Sequence, residues 1–534
     1  MKKYILISFL FCLMPLWGTT LPDHPFFNAM NDEMQRTVQQ LHMKGSPRPY
    51  YVVYRLDEKD SPVSVEAVLG EITLVRYQKP TTTANALVAV GNSKQDSFGV
   101  DKSMWGWYRN VGDSYRAIRH GFWDITNASY LRASRWYEDK QAYLRKKNIK
   151  SSLPDFVAGK QETYMDPELA PLPKDPTEWV ELAKHLSAKG KAYPFIEQFY
   201  LLVRPFQYKR FWMNNLGAYA YTNQNYVLVD LDVSWRTKSG FEKSLNYSRY
   251  MSMEEGWQQT VEKELDALLE QLRKTYDAKK GEAYIGPVLL TAPAAARLWQ
   301  MAFVKNMEEF GTLISAEGEE INGGSFKDKL GLRVVSPIID VYDKPLLRTY
   351  DHKMLGDFYP LDDEGMRPQE LTLVKDGFLR DIPTSSRPFK EGVKSNGHGF
   401  AYQGFPREYL TNVVVEPHEP LSQAALEQKL IEMCREQELE YGYILHSLEG
   451  SDDGILLAER IYVSDGRKEP IYGLKIETAI GPGLLRDIRG AGDEKAVFYK
   501  DNNQAILSPA LLLEEMELVP TNKKPARKPF VPKP

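Results

Sequence analysis

The chain has 534 residues, 43% of them apolar and 12% aromatic, which is enough for more than one packed core and excludes wholesale disorder. A net charge of −4 and a pI of about 6.2 leave no basic footprint for a phosphate backbone, so no nucleic-acid partner is expected. The two cysteines, Cys12 and Cys434, are too few for a disulfide framework.

Residues 1–20 run from Lys2 and Lys3 through the apolar stretch 4–17 to Gly18, Thr19 and Thr20, the order of a secretory signal. That stretch is shorter than the roughly 20 residues needed to span a bilayer. With cleavage after Gly18 or Thr20, the product is expected to be secreted or periplasmic, with no transmembrane span. Met30, Met34, Val38 and Leu41 then mark a helix over 28–44 that ends at Gly45. Alternating runs at 50–56, 64–76 and 84–90 predict antiparallel strands. Residues 117–147 predict two aromatic- and arginine-rich helical segments. There Trp123, Tyr130 and Trp136 follow helix faces, as core packing rather than a stacking platform.

A proline-rich linker at 166–175 precedes a helix over 177–190 that turns Trp179, Leu182 and Leu186 inward. The alternation through 209–235 predicts a hairpin with Asn223 and Asn225 near its turn. Residues 252–280 predict a long amphipathic helix: Ser252 and Glu255 form a capping box, and Trp257, Val261, Leu265, Leu268, Leu272 and Tyr276 an inward stripe. In 288–311 (VLLTAPAAARLWQMAFVKNMEEFG) a short strand leads through Thr291 and Pro293 into a helix. Its stripe is Trp299, Phe303, Met307 and Phe310, and Gly311 is its stop. A buried strand over 334–343, the DDEG segment 362–365 and a hairpin over 371–379 turning at Asp376-Gly377 follow. A helix over 422–438 sets Cys434 beside Leu426, Leu430 and Met433 as a buried thiol.

The order of these features resembles the TldD/PmbA family, bacterial proteins once called modulators of DNA gyrase and now regarded as metalloprotease-type subunits. The resemblance rests on the strand–turn–helix of 288–311, FKDKLG at 326–331, DDEG, the 371–379 hairpin, Asn396, Pro406-Arg407, Asn412 and LRDIRGAG at 485–492. Asn214, Asn215 and Gly217 stand where the family has an N-S-x-G type turn. It implies an α+β fold: an N-terminal helix-plus-antiparallel-sheet domain (21–250), a bridging helix (251–283) and a C-terminal, mainly antiparallel β domain with few helices (284–520). A basic, proline-rich tail (521–534) would follow.

In the family's catalytic members the helix carries HExxxH, two histidine ligands for zinc and a glutamate base. The aligned positions here are Gln300, Met301 and Lys305, an amide, a thioether and an ammonium, which neither ligate zinc nor accept a proton at neutral pH. The family's third ligand is a cysteine near the C-terminus, and none follows Gly492. The resemblance therefore implies a non-catalytic, PmbA-type subunit with no metal or cofactor of its own, zinc being expected only in a catalytic partner. The expected partners are a TldD-like catalytic subunit or a second copy of the chain, with unfolded peptide as ligand and Asn396, Arg407 and Asn412 as contacts. Two alternatives stand beside it: an active metallopeptidase with ligands from elsewhere in the chain, and a stand-alone peptide-binding scaffold. No two histidines form a local ligand pair, and Asp362, Asp363 and Glu364 are read as a structural turn. Serine-nucleophile elbows and phosphate loops are absent from the sequence.

Overall fold

The computed structural model describes residues 21–521 except 102–106, 150–152, 309–312, 316–319, 322, 357, 402–405, 449–456 and 501–503. The expected signal, the tail beyond Thr521, and the helix-ending Phe310 and Gly311 lie outside the described residues.

Helix α1 (Pro25–Gln40) begins where the Phe26 amide donates to His24 Nδ1 at 3.1 Å and Pro25 takes the first helical position. It ends at Leu41, which turns to extended backbone, before the expected Gly45. Four strands follow: β1 (Pro49–Asp60), β2 (Val63–Val68), β3 (Glu71–Tyr77) and β4 (Thr81–Asn92). The alternating run 64–76 is thus a hairpin, because Leu69 and Gly70 take φ of 47° and 81°, a turn whose twist matches its strands. Helix α2 (Tyr115–Lys147) is one helix rather than two, closed by left-handed Asn148. It buries Tyr130 and Trp136 but leaves Trp123 47% exposed.

After α3 (Thr177–Ala188) the two longest neighbours of the sheet, β5 (Ile196–Asn214) and β6 (Tyr219–Arg236), turn through 215–217 with Gly217 at φ +106. Asn223 and Asn225 lie inside β6, opposite Lys209 and Gln207, so the turn is not where they stand. Ser252 ends β7 (Glu242–Ser252), and the expected capping box does not form. Instead α4 (Trp257–Tyr276) starts after left-handed Gly256 and buries Trp257, Val261, Leu265, Leu269 and Leu272.

The central order of this first sheet is β7-β6-β5-β1-β4. Helices α3 and α4 cover one face through Val203, Val227, Val229 and Leu231, and α1 and α2 cover the same face through Val52, Tyr54, Leu56 and Ala84. Strand alternation then puts Arg55, Asp57, Lys59, Tyr208 and Arg210 on the opposite face, toward the second half. The second half also lends this sheet a hairpin, Thr349–Tyr350 with Lys353–Met354, through the pairing of Lys353 with Met251.

The second half runs β8 (Tyr284–Leu290), α5 (Ala292–Ala302), β9 (Ile339–Asp343), β10 (Leu371–Lys375), β11 (Phe378–Leu379), β12 (Asn412–Pro417), α6 (Gln423–Glu436), β13 (Tyr441–Leu445), β14 (Ala458–Tyr462), β15 (Ile488–Lys500) and β16 (Gln504–Pro520). Its mixed sheet has the order β14-β13-β8-β16-β12-β9-β10-β11, with β15 also on β16. The strand expected over 334–343 shortens to β9, because the amides of Val334 and Val335 both donate to the Gly377 carbonyl and draw that segment into a turn. The Asp376-Gly377 turn forms as expected, both residues at positive φ. Cys434 is fully buried on α6 against Leu426 and Leu430, and burial pushes its thiol up. The architecture is α+β, with few helices around mixed and antiparallel sheets. No helix among the described residues is long and apolar enough to cross a membrane.

Candidate functional site

Helix α5 is anchored from below. Trp299, Phe303 and Met307 are fully buried in the second-half core with Val288, Phe326 and Met516. The α-helix ends at Ala302, and Lys305 stands on the single 3-10 turn Val304–Asn306 beyond it, exposed. The outer side carries Gln300, whose Oε1 accepts from Arg297 Nη1 at 2.9 Å, while the Arg297 guanidinium lies 5.3 Å from the Phe498 ring. Zinc seated at these positions would meet an amide already holding a guanidinium, a thioether and a lysine. That donor set does not fit the ion.

The three residues expected as peptide contacts divide. Asn396 is spent on its own loop: its Oδ1 accepts from the Thr384 amide at 2.8 Å and its Nδ2 donates to the Ile382 carbonyl at 2.9 Å. Asn412 is buried, and its Nδ2 donates to the carbonyls of Lys344 and Leu347. Both side chains hold loops rather than present donors to a ligand. Arg407 is half-buried on a two-residue strand paired with Gly399–Phe400.

A cleft of about 220 Å³ opens on the face of the first sheet that turns toward the second half, lined by Lys59, Tyr208, Gln224, Tyr226, Tyr250 and Tyr499 with Met354 and Gly356. Its floor follows from register. Lys59 of β1 and Gln224 of β6 both lie opposite Tyr208 of β5, so all three point to one face. Its wall is aromatic: Tyr250 meets Tyr226 and Tyr499 edge-on, with ring centroids 5.9 and 6.2 Å apart. Tyr499 comes from β15, so the two halves build this cleft together.

Charges fix the walls. Asp57 binds Arg55 and Arg210 at 3.0 Å each, and Arg210 donates to the Tyr208 hydroxyl at 2.7 Å. Burial alone would raise the Asp57 carboxyl, but the two guanidiniums outweigh it and hold it low. Behind Tyr250, burial of Glu264 is likewise outweighed by Arg249 and Lys353, which bring it down to about 2. These carboxylates are committed as counter-ions. The cleft therefore offers aromatic faces, an amide and an ammonium, with no nucleophile–base pair and no set of metal ligands among its lining residues.

The DDEG segment is the joint between the halves. The Asp363 carbonyl accepts from the Tyr51 hydroxyl, the Glu364 carbonyl from Gln161 and Asn214, and the Gly365 carbonyl from the Glu162 amide. Gly365 sits at φ +88, where a Cβ would come within 2.5 Å of Ala218 and Gln161. Asp362 takes the amides of Glu364, Met366 and Gly399, and Glu364 takes that of Ser386. Burial raises Glu364 to about 7, and burial together with the neighbouring Glu364 pushes Asp362 well up. The segment is structural, as expected, and its side chains are enclosed rather than presented.

The cleft residues escaped the sequence reading. Of their four tyrosines only Tyr226 falls on a strand predicted from the sequence, and what brings 59, 208, 224, 250 and 499 together is register and topology.

Residues 284–519 match the family model of the PmbA/TldA metallopeptidase C-terminal domain. No curated protein matches the chain. Among solved structures, a candidate modulator of a DNA gyrase from Thermotoga maritima shares the fold at a TM-score of 0.61 and 16% identity, covering 92% of this chain and 100% of that one. TldE from Thermococcus kodakarensis aligns with a TM-score of 0.60 and 14% identity over the same shares. A candidate modulator of DNA gyrase from Bacteroides thetaiotaomicron gives 0.58 and 12%, covering 92% of this chain and 98% of its own.

Proposed function

The chain belongs to the PmbA/TldD metallopeptidase family through residues 284–519, and on that premise we propose that it is a non-catalytic, PmbA-type member. It binds unfolded peptide and pairs with a partner that carries HExxxH. The observation that carries this reading is the outer side of α5 and the turn beyond it, where Gln300 (held by Arg297), Met301 and Lys305 stand at the positions that the resemblance gives to the zinc-binding set. The cleft between the halves supports the peptide-binding part. Its volume suits one side chain of an extended peptide, and tyrosines give large contact area at low entropic cost. On this reading the contacts are Tyr226, Tyr250 and Lys59 in place of Asn396 and Asn412. The order of residues 1–20, read as a secretory signal, supports a place outside the cytoplasm for this chain, and N-terminal sequencing of the recovered protein checks it.

The test has two arms. The purified chain is incubated with a labelled unfolded peptide with and without zinc, then together with a co-expressed family member that has HExxxH. Binding without turnover alone, and zinc-dependent turnover only with the partner, is the expected result. Turnover by the lone chain in zinc overturns the proposal in favour of an active metallopeptidase, and peptide binding with no complex on co-expression overturns it in favour of a stand-alone scaffold. Tyr250→Ala is expected to weaken peptide binding about tenfold.

A further inference from the structure

Strands β12, β9 and β10 are neighbours in the second sheet, and their register brings three ligand-type side chains to one end of it. Asp340 stands on β9, Asp376 in the turn after β10, and His418 just past β12. His418 Nε2 lies 3.0 Å from Asp340 Oδ1 and 3.6 Å from Asp376 Oδ1. One ligand atom from each of the three falls within 4.8 Å of the others, the one such grouping among the described residues. Tetrahedral zinc with bonds near 2.0 Å sets its ligand atoms about 3.3 Å apart. The separations therefore bracket what one small cation needs, with only side-chain adjustment.

From this geometry we infer that Asp340, Asp376 and His418 form a surface site for a divalent transition-metal ion of the zinc class, separate from the α5 positions and from the tyrosine cleft.

The surroundings support it. Asp340 is held from behind: the Asp376 amide donates to its Oδ1 at 2.9 Å, and the Tyr342 hydroxyl and Lys375 Nζ reach its Oδ2 at 3.3 and 2.6 Å. The amide and the hydroxyl orient a ligating carboxylate, whereas the Lys375 ammonium competes with an ion for it. Though burial acts the other way, the hydrogen bonds from Lys375, His418 and the Asp376 amide bring its carboxyl down to about 2, so it is ionised at neutral pH. Asp376 and His418 are solvent-accessible, so an ion can enter and keep water in its remaining position. Lys375 Nζ, 2.6 Å from Asp340 Oδ2, opposes a cation there, and its side chain is about half exposed, so ligation displaces it into solvent. Ligation would pin the β10–β11 turn to the ends of β9 and β12, a structural clip rather than a reaction centre.

The experiment is calorimetric titration of the full chain, freed of metal with chelator, with zinc chloride and no peptide present. One zinc equivalent with micromolar affinity is expected, lost or weakened about tenfold or more in His418→Ala and in Asp376→Asn, whose side chains are exposed enough to leave the fold intact. Lys375→Met removes the competing ammonium and is expected to tighten binding several-fold, an effect adventitious surface binding would not show. Isotherms of His418→Ala and Asp376→Asn that match the wild type, or no zinc binding by the wild type at 100-fold higher concentration, overturn the inference. Neither result bears on peptide binding or on a partner.

Discussion

Two acidic clusters of the second half hold carboxyls that shift in opposite directions. At 362–364 the carboxyls are enclosed by the joint between the halves, and burial outweighs the backbone amides and the guanidiniums of Arg387 and Arg55 that act against it, so Glu364 rises to about 7. At 340 and 376 a lysine, an imidazole and an amide converge on a carboxylate at the edge of solvent, and Asp340 falls to about 2. Burial opposes ionisation in both places, and the difference is whether direct hydrogen bonds from Lys375 and His418 outweigh it, as at Asp340, or more distant guanidiniums fail to, as at Glu364. A carboxylate triplet in the sequence therefore says little about charge, which distant strands decide.

The comparison is broken most severely by filling the joint. Gly365→Ala forces a side chain into left-handed backbone and against Ala218 and Gln161, and is expected to cost about 3 kcal/mol or more and to lower the thermal midpoint sharply. A midpoint within a degree of the wild type would mean that the joint tolerates separation.

Next comes Glu364→Gln. Because the folded state raises this carboxyl above its ordinary 4.5, it holds a proton that the unfolded chain releases. Stability is full below about 4.5 and falls as pH climbs to about 7. The wild-type midpoint should drop between pH 5 and 7.5, and the variant should lose most of that drop, on the order of 1–3 kcal/mol. Parallel curves for the two proteins would remove Glu364 from the account.

The smallest effect is expected at Asp340→Asn, with the opposite sign. A depressed carboxyl contributes stability above its ordinary 3.8 that disappears as pH falls toward 2. The variant should be about 1 kcal/mol less stable at pH 7 and should converge on the wild type in acid. Denaturant titration at pH 7 and pH 3 reads both limbs.

Much of the fold was legible wherever one local rule governed it. The Asp376-Gly377 turn and the buried Cys434 follow from turn chemistry and helical spacing that the structure keeps, and Trp299, Phe303 and Met307 are buried as expected although the helix stops at Ala302. Local signals failed where tertiary partners overrode them. Ser252 has capping chemistry, yet pairs in the sheet opposite Tyr226, and α4 begins five residues later. In 64–76 one alternating pattern ran straight through a turn, because Leu69 carries no turn signature and adopts positive φ only with Gly70 beside it. The assignment of 300, 301 and 305 to the HExxxH positions rests on the resemblance alone, which supplied the register. The cleft was not readable, since Lys59, Tyr208, Gln224, Tyr250 and Tyr499 meet only across paired strands.

Strand β16 touches β8, β12, β15 and the short strand Leu474–Ile476, and it joins the two wings of the second sheet. It is also the last of the described strands along the chain. During synthesis β8 and β12 emerge hundreds or scores of residues ahead of it and must wait with their bonding edges open, a window in which nascent strands are prone to mispair. The apolar run of β16 thus acts as a closing bolt: the pairings of β8, β12 and β15 with it can form only once residues 504–520 have emerged.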